Sequence, residues 1–233
     1  EFGNCYSYNP EADMEKGVLA PYSENYRLGM WLTGYEVANS WAQKDIQTSF
    51  FMLKGYVENL LTRLGMTSGK YTTEQTSDDI FSAVLVYKTR GGKEFGKAGI
   101  VSKNILRKFD IDNEVYFAEF NFAMLCKESV KTKTTYSELS KFPPVKRDLA
   151  LLVDTSVKFC EIEKIARESE RKLLKEVSLF DVYEGKNLEA GKKSYAVSFI
   201  LQDTEKTLAD KQIDAVMNKI ITNLENKVGA KLR

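Results

Sequence analysis

The 233-residue chain contains no histidine. That absence excludes Ser-His-Asp and Cys-His nucleophilic centres and any His-Glu-x-x-His zinc site. It also removes the side chain that most often exchanges protons near neutral pH, so acid–base work would need carboxylates, lysines or tyrosines with strongly shifted pKa values. Cysteine is scarce: Cys5, Cys126 and Cys160 stand far apart, without metal-ligand spacing. A sparse, odd count fits a reducing cytoplasm better than a disulfide framework, and each cysteine is expected to be a small buried hydrophobe. No apolar run approaches the roughly 18–20 residues that cross a bilayer, and no signal peptide opens the chain. The first residues, Glu1-Phe2-Gly3-Asn4-Cys5-Tyr6, read as the middle of a strand with no Met before Met14. We therefore expect a piece of a longer protein.

Proline is also scarce. Of four, two are adjacent, Pro143-Pro144, and follow the polar, aperiodic stretch Lys131-Thr132-Lys133-Thr134-Thr135-Tyr136-Ser137-Glu138. Extended geometry is favoured there, and a domain boundary is expected near residue 139. Charge divides at the same place: residues 1–139 carry 16 basic and 18 acidic side chains, residues 140–233 carry 18 and 15. So small an asymmetry does not by itself announce nucleic acid.

What is present reads most clearly after the prolines. Asp148 to Val153 is a short apolar run suited to a buried strand. Ile162, Ile165, Ala166 and Leu173 recur at helical spacing and predict a helix over about 159–174. Val177 to Tyr183 reads as a strand ended by a turn at Glu184-Gly185-Lys186-Asn187, and Lys193 to Leu201 as a strand of alternating large apolar and small or polar residues. Thr207 and Asp210 suggest a capping box. After them Ile213, Val216, Met217, Ile220, Ile221 and Leu224 form an apolar stripe, Gly229 sits at a C-cap position, and Ala230 to Arg233 suits a last strand. The order β-α-β-β-α-β is that of a ferredoxin-like split βαβ domain.

The first half predicts strands at Glu24 to Thr33, Ile80 to Lys88, Glu94 to Ile100 and Glu114 to Phe122. It also predicts a helix near residues 51–61 that buries Leu53, Val57, Leu60, Leu61 and Leu64 and stops at Gly65, and a short helix within Val101 to Phe109. This is an α+β domain with a mostly antiparallel sheet. Gly96-Lys97-Ala98-Gly99 is too short for a phosphate-binding fingerprint. Asp78-Asp79 and Asp110-Ile111-Asp112 read as turns or caps rather than metal sites.

A ferredoxin-like sheet covers one face with helices and leaves the other open. Alternation places Phe180 and Val182 on one side of their strand and Asp181 and Tyr183 on the other. If Tyr195, Val197 and Phe199 are core, then Asp181, Tyr183 and Ser194 share the open face. A tyrosine there can stack on an unpaired base, and a carboxylate and a hydroxyl can read base edges. Lys146, Arg147, Lys192 and Lys193 lie near strand starts and could hold phosphates. The bland alternative is a polar outer face with incidental lysines.

Three ordered motifs carry a resemblance. Ser140-Lys141-Phe142-Pro143-Pro144-Val145-Lys146-Arg147-Asp148-Leu149-Ala150, then Leu179-Phe180-Asp181-Val182-Tyr183-Glu184-Gly185, then Gly191-Lys192-Lys193-Ser194, resemble the C-terminal module of the bacterial phenylalanyl-tRNA synthetase beta subunit. Upstream, Leu53-Lys54-Gly55-Tyr56-Val57-Glu58-Asn59-Leu60-Leu61 and Gly96-Lys97-Ala98-Gly99-Ile100-Val101 resemble that subunit's catalytic-like domain. The resemblance implies a class II synthetase-like antiparallel domain over 1–139 without synthetic activity, then a ferredoxin-fold anticodon-binding domain over 140–233. It implies that Asp181, Tyr183 and Ser194 face the anticodon. It implies an enzyme that uses ATP and magnesium to join phenylalanine to its tRNA as an alpha2-beta2 assembly, with the chemistry on the alpha subunit and no cofactor on this chain. In keeping with that, 1–139 contains neither Phe-Arg-x-Glu nor a Gly-rich stretch ending in Arg. Competing expectations are a protein-interaction module without RNA contact and an amino-acid-sensing module of the ACT type.

Overall fold

A computed structural model describes residues 1–37, 40–67, 69–133, 135–136, 138–185 and 188–233. Thr134 and Ser137 of the expected linker, and Lys186-Asn187 of the expected turn, lie outside the described residues. The chain divides into two units, Glu1–Thr135 and Tyr136–Arg233.

In the first unit the elements run β1 (Phe2–Tyr8), a 3-10 turn (Met14–Lys16), β2 (Tyr22–Thr33), β3 (Tyr35–Val37), β4 (Ile46–Gln47), α1 (Phe50–Arg63), β5 (Tyr71–Thr76), β6 (Phe81–Thr89), β7 (Glu94–Val101), α2 (Lys103–Lys108), β8 (Val115–Asn121) and α3 (Phe122–Val130). Six strands form one antiparallel sheet in the order β1-β2-β8-β7-β6-β5. Helix α1 starts where Ser49 Oγ accepts the Met52 amide at 3.3 Å and ends before Gly65, whose φ of +73° only glycine adopts without strain. Its spacing of four puts Leu53, Val57 and Leu61, all fully buried, on the sheet residues Leu28, Ala98, Ala118 and Phe120. Burying each such leucine contributes roughly 1.5–3 kcal/mol. Gly96 lies under Phe120 so closely that a Cβ there would sit 2.0 Å from ring Cδ1.

Besides the 3-10 turn and the short strands β3 and β4, two longer elements escape the sequence pattern. Strand β5 is a polar edge strand, exposed at every residue but Tyr71, so it shows no apolar alternation. Helix α3 follows β8 without a break, its start marked only by Asn121 Oδ1 accepting the Met124 amide at 3.0 Å. The cysteine expectation is overturned, since all three are exposed. Cys160 illustrates the reason: α4, described below, buries Ile162, Ile165 and Ala166, and a residue two places before the first of these lies on its outer side.

Tyr87 and Tyr116 titrate abnormally. The Tyr87 hydroxyl is fully buried and finds no hydrogen-bond partner among the described residues. Burial above all, and then the negative charge of Glu58, push its pKa well above the ordinary value. Burial pushes Tyr116 up to about 12, helped by its 2.7 Å hydrogen bond to Glu114 Oε2. Both are held neutral in the folded state more firmly than in the unfolded one. Their contribution is full below a pH of about 10 and is lost as pH climbs through the folded pKa values. Tyr87→Phe removes an unpartnered hydroxyl. It is expected to leave neutral-pH stability unchanged or raised by about 1 kcal/mol and to flatten the alkaline decline. Urea denaturation at pH 7 and pH 11 measures both, and a loss above about 1 kcal/mol at pH 7 would show that the hydroxyl has a partner.

The second unit runs β9 (Val145–Asp154), α4 (Phe159–Ser169), β10 (Leu174–Tyr183), β11 (Lys192–Leu201), α5 (Asp210–Val228) and β12 (Lys231–Leu232). The antiparallel sheet order β10-β11-β9-β12 is that of the expected βαββαβ fold. Two details differ from the sequence reading. Helix α4 stops at Ser169, not near 174, because Glu170 turns extended and its Oε1 accepts the Lys172 and Leu173 amides at 2.9 and 3.0 Å. Helix α5 is capped at Ala209, not by Thr207 and Asp210, with Gln212 Oε1 accepting the Ala209 amide at 3.4 Å. At its far end Gly229 adopts φ +62°, the left-handed cap expected there. Ile162, Ile165, Ile213, Met217, Ile220 and Leu224 of the two helices bury Leu151, Tyr195, Val197 and Phe199 on one side of the sheet.

Candidate nucleic-acid interface

The other side of the second sheet is not covered by α4 or α5. Strand β11 sets its geometry, with Tyr183 opposite Ser194, Asp181 opposite Ala196, Lys192 opposite Asp154 and Ser198 opposite Asp148. Tyr195, Val197 and Phe199 alternate onto the helix side, so Asp181, Tyr183 and Ser194 fall together on the open side. Lys146 and Lys192 lie there too. Lys192 Nζ pairs with Asp154 Oδ1 at 2.8 Å. Lys146 Nζ lies 3.5 Å from Asp148 Oδ2, and the other oxygen of that carboxylate accepts the Ser198 hydroxyl.

Three other expectations for this surface need correction. Phe180 does not share the core side with Val182. The β10–β11 ladder skips from Leu179↔Val197 to Asp181↔Ala196, a bulge that leaves Phe180 unpaired. Its ring turns to the open side, 58% exposed, with Lys146 Nζ 5.5 Å from the centroid. Val182 keeps the helix side, opposite Tyr195, but the strand end leaves it exposed. Lys193 and Arg147 occupy the wrong side for phosphate contact beside Tyr183. Lys193 is buried opposite Val153, its Nζ donating to Thr155 O at 2.8 Å and lying 4.7 Å over the Tyr195 ring. Arg147 sits opposite Phe199 and its Nη1 donates to Lys146 O at 3.2 Å. Ser194 is on the open side by register yet only 6% exposed, flanked on the neighbouring strands by the larger Tyr183 and Leu152. Its hydroxyl is part of the floor rather than a surface contact.

The sequence reading missed two residues that shape the Tyr183 ring. The Arg233 amide donates to Ala150 O at 3.0 Å, which continues the β12 register and brings Arg233 onto the open side. Its guanidinium carbon lies 5.6 Å from the Tyr183 ring centroid. Gly185 lies against the same ring, where a Cβ would meet Cζ and Oη at 2.5 Å. Only the alternation of Lys231 and Arg233 in a short last strand hinted at the first. Asp181 is exposed, and its carboxylate forms no hydrogen bond or ion pair with the described residues. The open side thus offers two aromatic rings, each with a cation beside it, and a free carboxylate between them in sequence. Planar bases with N–H donors and an anionic backbone are complementary to such a set.

The first unit presents a different sheet face. Opposite the side that packs on α1, Trp31 lies over Gly29 and stacks on Phe117, with centroids 4.7 Å apart and planes at 22°. Arg27 Nη1 is held by Glu119 Oε1 at 2.9 Å. This pair helps line a cleft of about 540 Å³ whose lining also includes Lys93, Lys97, Lys127, Glu94 and Glu128. The β1–β2 hairpin exposes Phe2, Tyr6, Tyr8, Tyr22 and Tyr26 along one face. Among the described residues no three His, Cys, Asp or Glu side chains come together to hold a metal ion, and no helix is long and apolar enough to cross a membrane.

Two stretches of the chain match known protein families. Residues 1–122 match the phenylalanyl tRNA synthetase beta chain CLM domain, and residues 140–233 match the ferredoxin-fold anticodon binding domain. The phenylalanine–tRNA ligase beta subunit of Bacteroides fragilis is 58% identical over all 233 residues, and that of Porphyromonas gingivalis is 50% identical over the same span. The corresponding subunit of Clostridium tetani is 38% identical over 188 residues, 80% of this chain and 24% of its own length. The chain spans 28% of the length of the first two of these relatives.

Proposed function

The chain belongs to the phenylalanyl-tRNA synthetase beta-chain family, and from that premise we propose that it serves a phenylalanine–tRNA ligase by subunit assembly and anticodon binding rather than by chemistry. Residues 140–233 are the anticodon-binding domain in this reading, and residues 1–139 a class II catalytic-like domain without synthetic activity. The observation that carries the RNA-binding half is the Tyr183 ring, 37% exposed, beside an exposed and unpaired Asp181 on the open sheet face. An anticodon base stacks on Tyr183. Asp181 accepts a hydrogen bond from a base N–H and repels misplaced phosphate. Lys146, Lys192 and Arg233 attract the backbone, and the resulting affinity falls steeply with salt.

Assembly with an alpha subunit, in an alpha2-beta2 enzyme, is supported by the β1–β2 hairpin, whose exposed aromatic side is of the kind that marks protein contacts. ATP and magnesium belong to the whole enzyme. The residues of the first unit do not fit them: Arg27 is neutralised by Glu119, Trp31 fills the sheet face over Gly29, and the described acids form no metal-binding group. No step of the reaction is therefore assigned to this chain.

Titration of the phenylalanine tRNA at two salt concentrations tests the reading. Tyr183→Ala is expected to weaken binding about tenfold or more, since stacking on one aromatic is worth about 1–3 kcal/mol. Asp181→Ala is expected to lose discrimination at one base while the salt slope stays unchanged. Losses no larger than that of Lys103→Ala, an exposed residue of the first unit, would sink it.

A further inference from the structure

The bulge in β10 gives the open face a feature that the reading above does not use. Alternation counted back from Val182 turns Phe180 towards α4 and α5, but counted on from Val177 and Leu179 it turns Phe180 to the open face, and the bulge between Leu179 and Asp181 is where the two periods meet. The unpaired position there carries a large apolar ring into solvent at 58% exposure, outside the buried cluster of the second unit. Singly exposed aromatics are common on protein surfaces, but this one is not alone. Lys146, two strands away on β9, reaches across β11 to bring its ammonium 5.5 Å from the ring centroid. Three residues further along β10, Tyr183 repeats the arrangement with Arg233 at 5.6 Å. At the rise of a strand the two rings are rooted about 10 Å apart. Neighbouring nucleotides of one splayed single strand can reach both.

We propose that Phe180 and Lys146 form a second nucleotide subsite, in which an unpaired base next to the one held by Tyr183 stacks on the Phe180 ring and its phosphate meets the Lys146 ammonium. The proposal rests on the anticodon-face reading and extends it. Phenylalanine offers no hydrogen-bonding group, so stacking at Phe180 accepts any base, whereas Asp181 beside it selects. The Lys146 ammonium is 3.5 Å from Asp148, which already accepts a hydrogen bond from Ser198. That shared carboxylate holds Lys146 over the face without burying it, so a phosphate can engage the ammonium from solvent. A protein partner would not require a cation beside each ring; a strand of stacked bases and regularly spaced phosphates does make use of both.

The test uses the full chain and the phenylalanine tRNA, with 2-aminopurine placed in turn at single-stranded positions of the anticodon loop. Phe180→Ala is expected to weaken binding about tenfold and to restore the fluorescence of one quenched position other than the one restored by Tyr183→Ala. Phe180→Trp keeps affinity within about twofold and keeps the quenching, because stacking needs a ring and not this ring. Lys146→Gln lowers the salt slope by about one. Losses from Phe180→Ala and Tyr183→Ala add, as independent contacts do. Melting temperatures of all variants should match, since Phe180 lies outside the core. If Tyr183→Ala weakens binding while Phe180→Ala stays within about twofold, the second subsite is wrong and the anticodon face stands. If neither weakens it, both fail. A Phe180→Trp variant as weak as Phe180→Ala, or a Phe180→Ala defect in binding the alpha subunit but not RNA, also overturns the proposal.

Discussion

Phe199→Ala is expected to destabilise the second unit by about 3–5 kcal/mol, at the upper end of large-to-small core changes. Phe199 is fully buried on β11, which is bonded on both sides to β9 and β10. A strand pinned on both edges cannot shift to fill the space its side chain leaves. The helices above are pinned as well, since Ile162 and Ile220 are themselves fully buried. The cavity therefore stays largely open, and its cost adds to the lost transfer energy. Both tryptophans, Trp31 and Trp41, lie before residue 136. Tryptophan fluorescence thus follows the first unit, and amide exchange in β9 and β11 follows the second. The exchange protection across β9 and β11 should fall accordingly. A loss below about 1 kcal/mol would mean that the site collapses after all.

Gly96→Ala is the counterpart in the first unit, an error of excess rather than deficit. The new Cβ would lie 2.0 Å from Phe120 Cδ1 and 2.4 Å from Cε1. Those ring atoms cannot swing away, because Phe120 is fully buried and packs against Tyr87 at 5.4 Å and Phe95 at 6.1 Å. Overpacking of this kind costs about 1–3 kcal/mol, and with no free direction we expect about 3. The fluorescence midpoint in urea should drop accordingly. Shortening the ring in the double variant Gly96→Ala/Phe120→Leu should recover part of the loss, since the two residues touch. Gly3→Ala, with nothing within 4 Å of the new atom, is the near-neutral control.

Most of the second unit was legible because its strands bury one side and its long helix buries a stripe. The alternation along β11 is enough to say which of its residues share a side of the sheet. It fails where the chain departs from period two. Nothing in Leu179-Phe180-Asp181 signals a bulge, so Phe180 was read as core. The sequence reading did not tell Lys192 and Lys193 apart. Lys193 belongs with Tyr195, and the pattern of Tyr195, Val197 and Phe199 extended two residues back would have shown it. Arg147 follows the same rule against Leu149 and Leu151. The Arg233–Tyr183 contact joins residues 50 apart in sequence and has no local trace. In the first unit β5 was invisible for a simpler reason: an edge strand that buries almost nothing carries no hydrophobic period.

The bulge in β10 also bears on how the free edge of the second sheet meets other strands. Strand β10 is the outermost strand of its sheet and is rich in Leu, Val, Phe and Tyr, with Leu174, Val177, Leu179, Phe180, Val182 and Tyr183 in ten residues. An outer strand of that composition is a template for pairing with another copy. The extra residue at Phe180 interrupts the regular row of amides and carbonyls along the free edge and increases the local twist, so a second strand cannot zip along its length. The irregularity beside the exposed ring thus also works against strand-to-strand pairing along that edge.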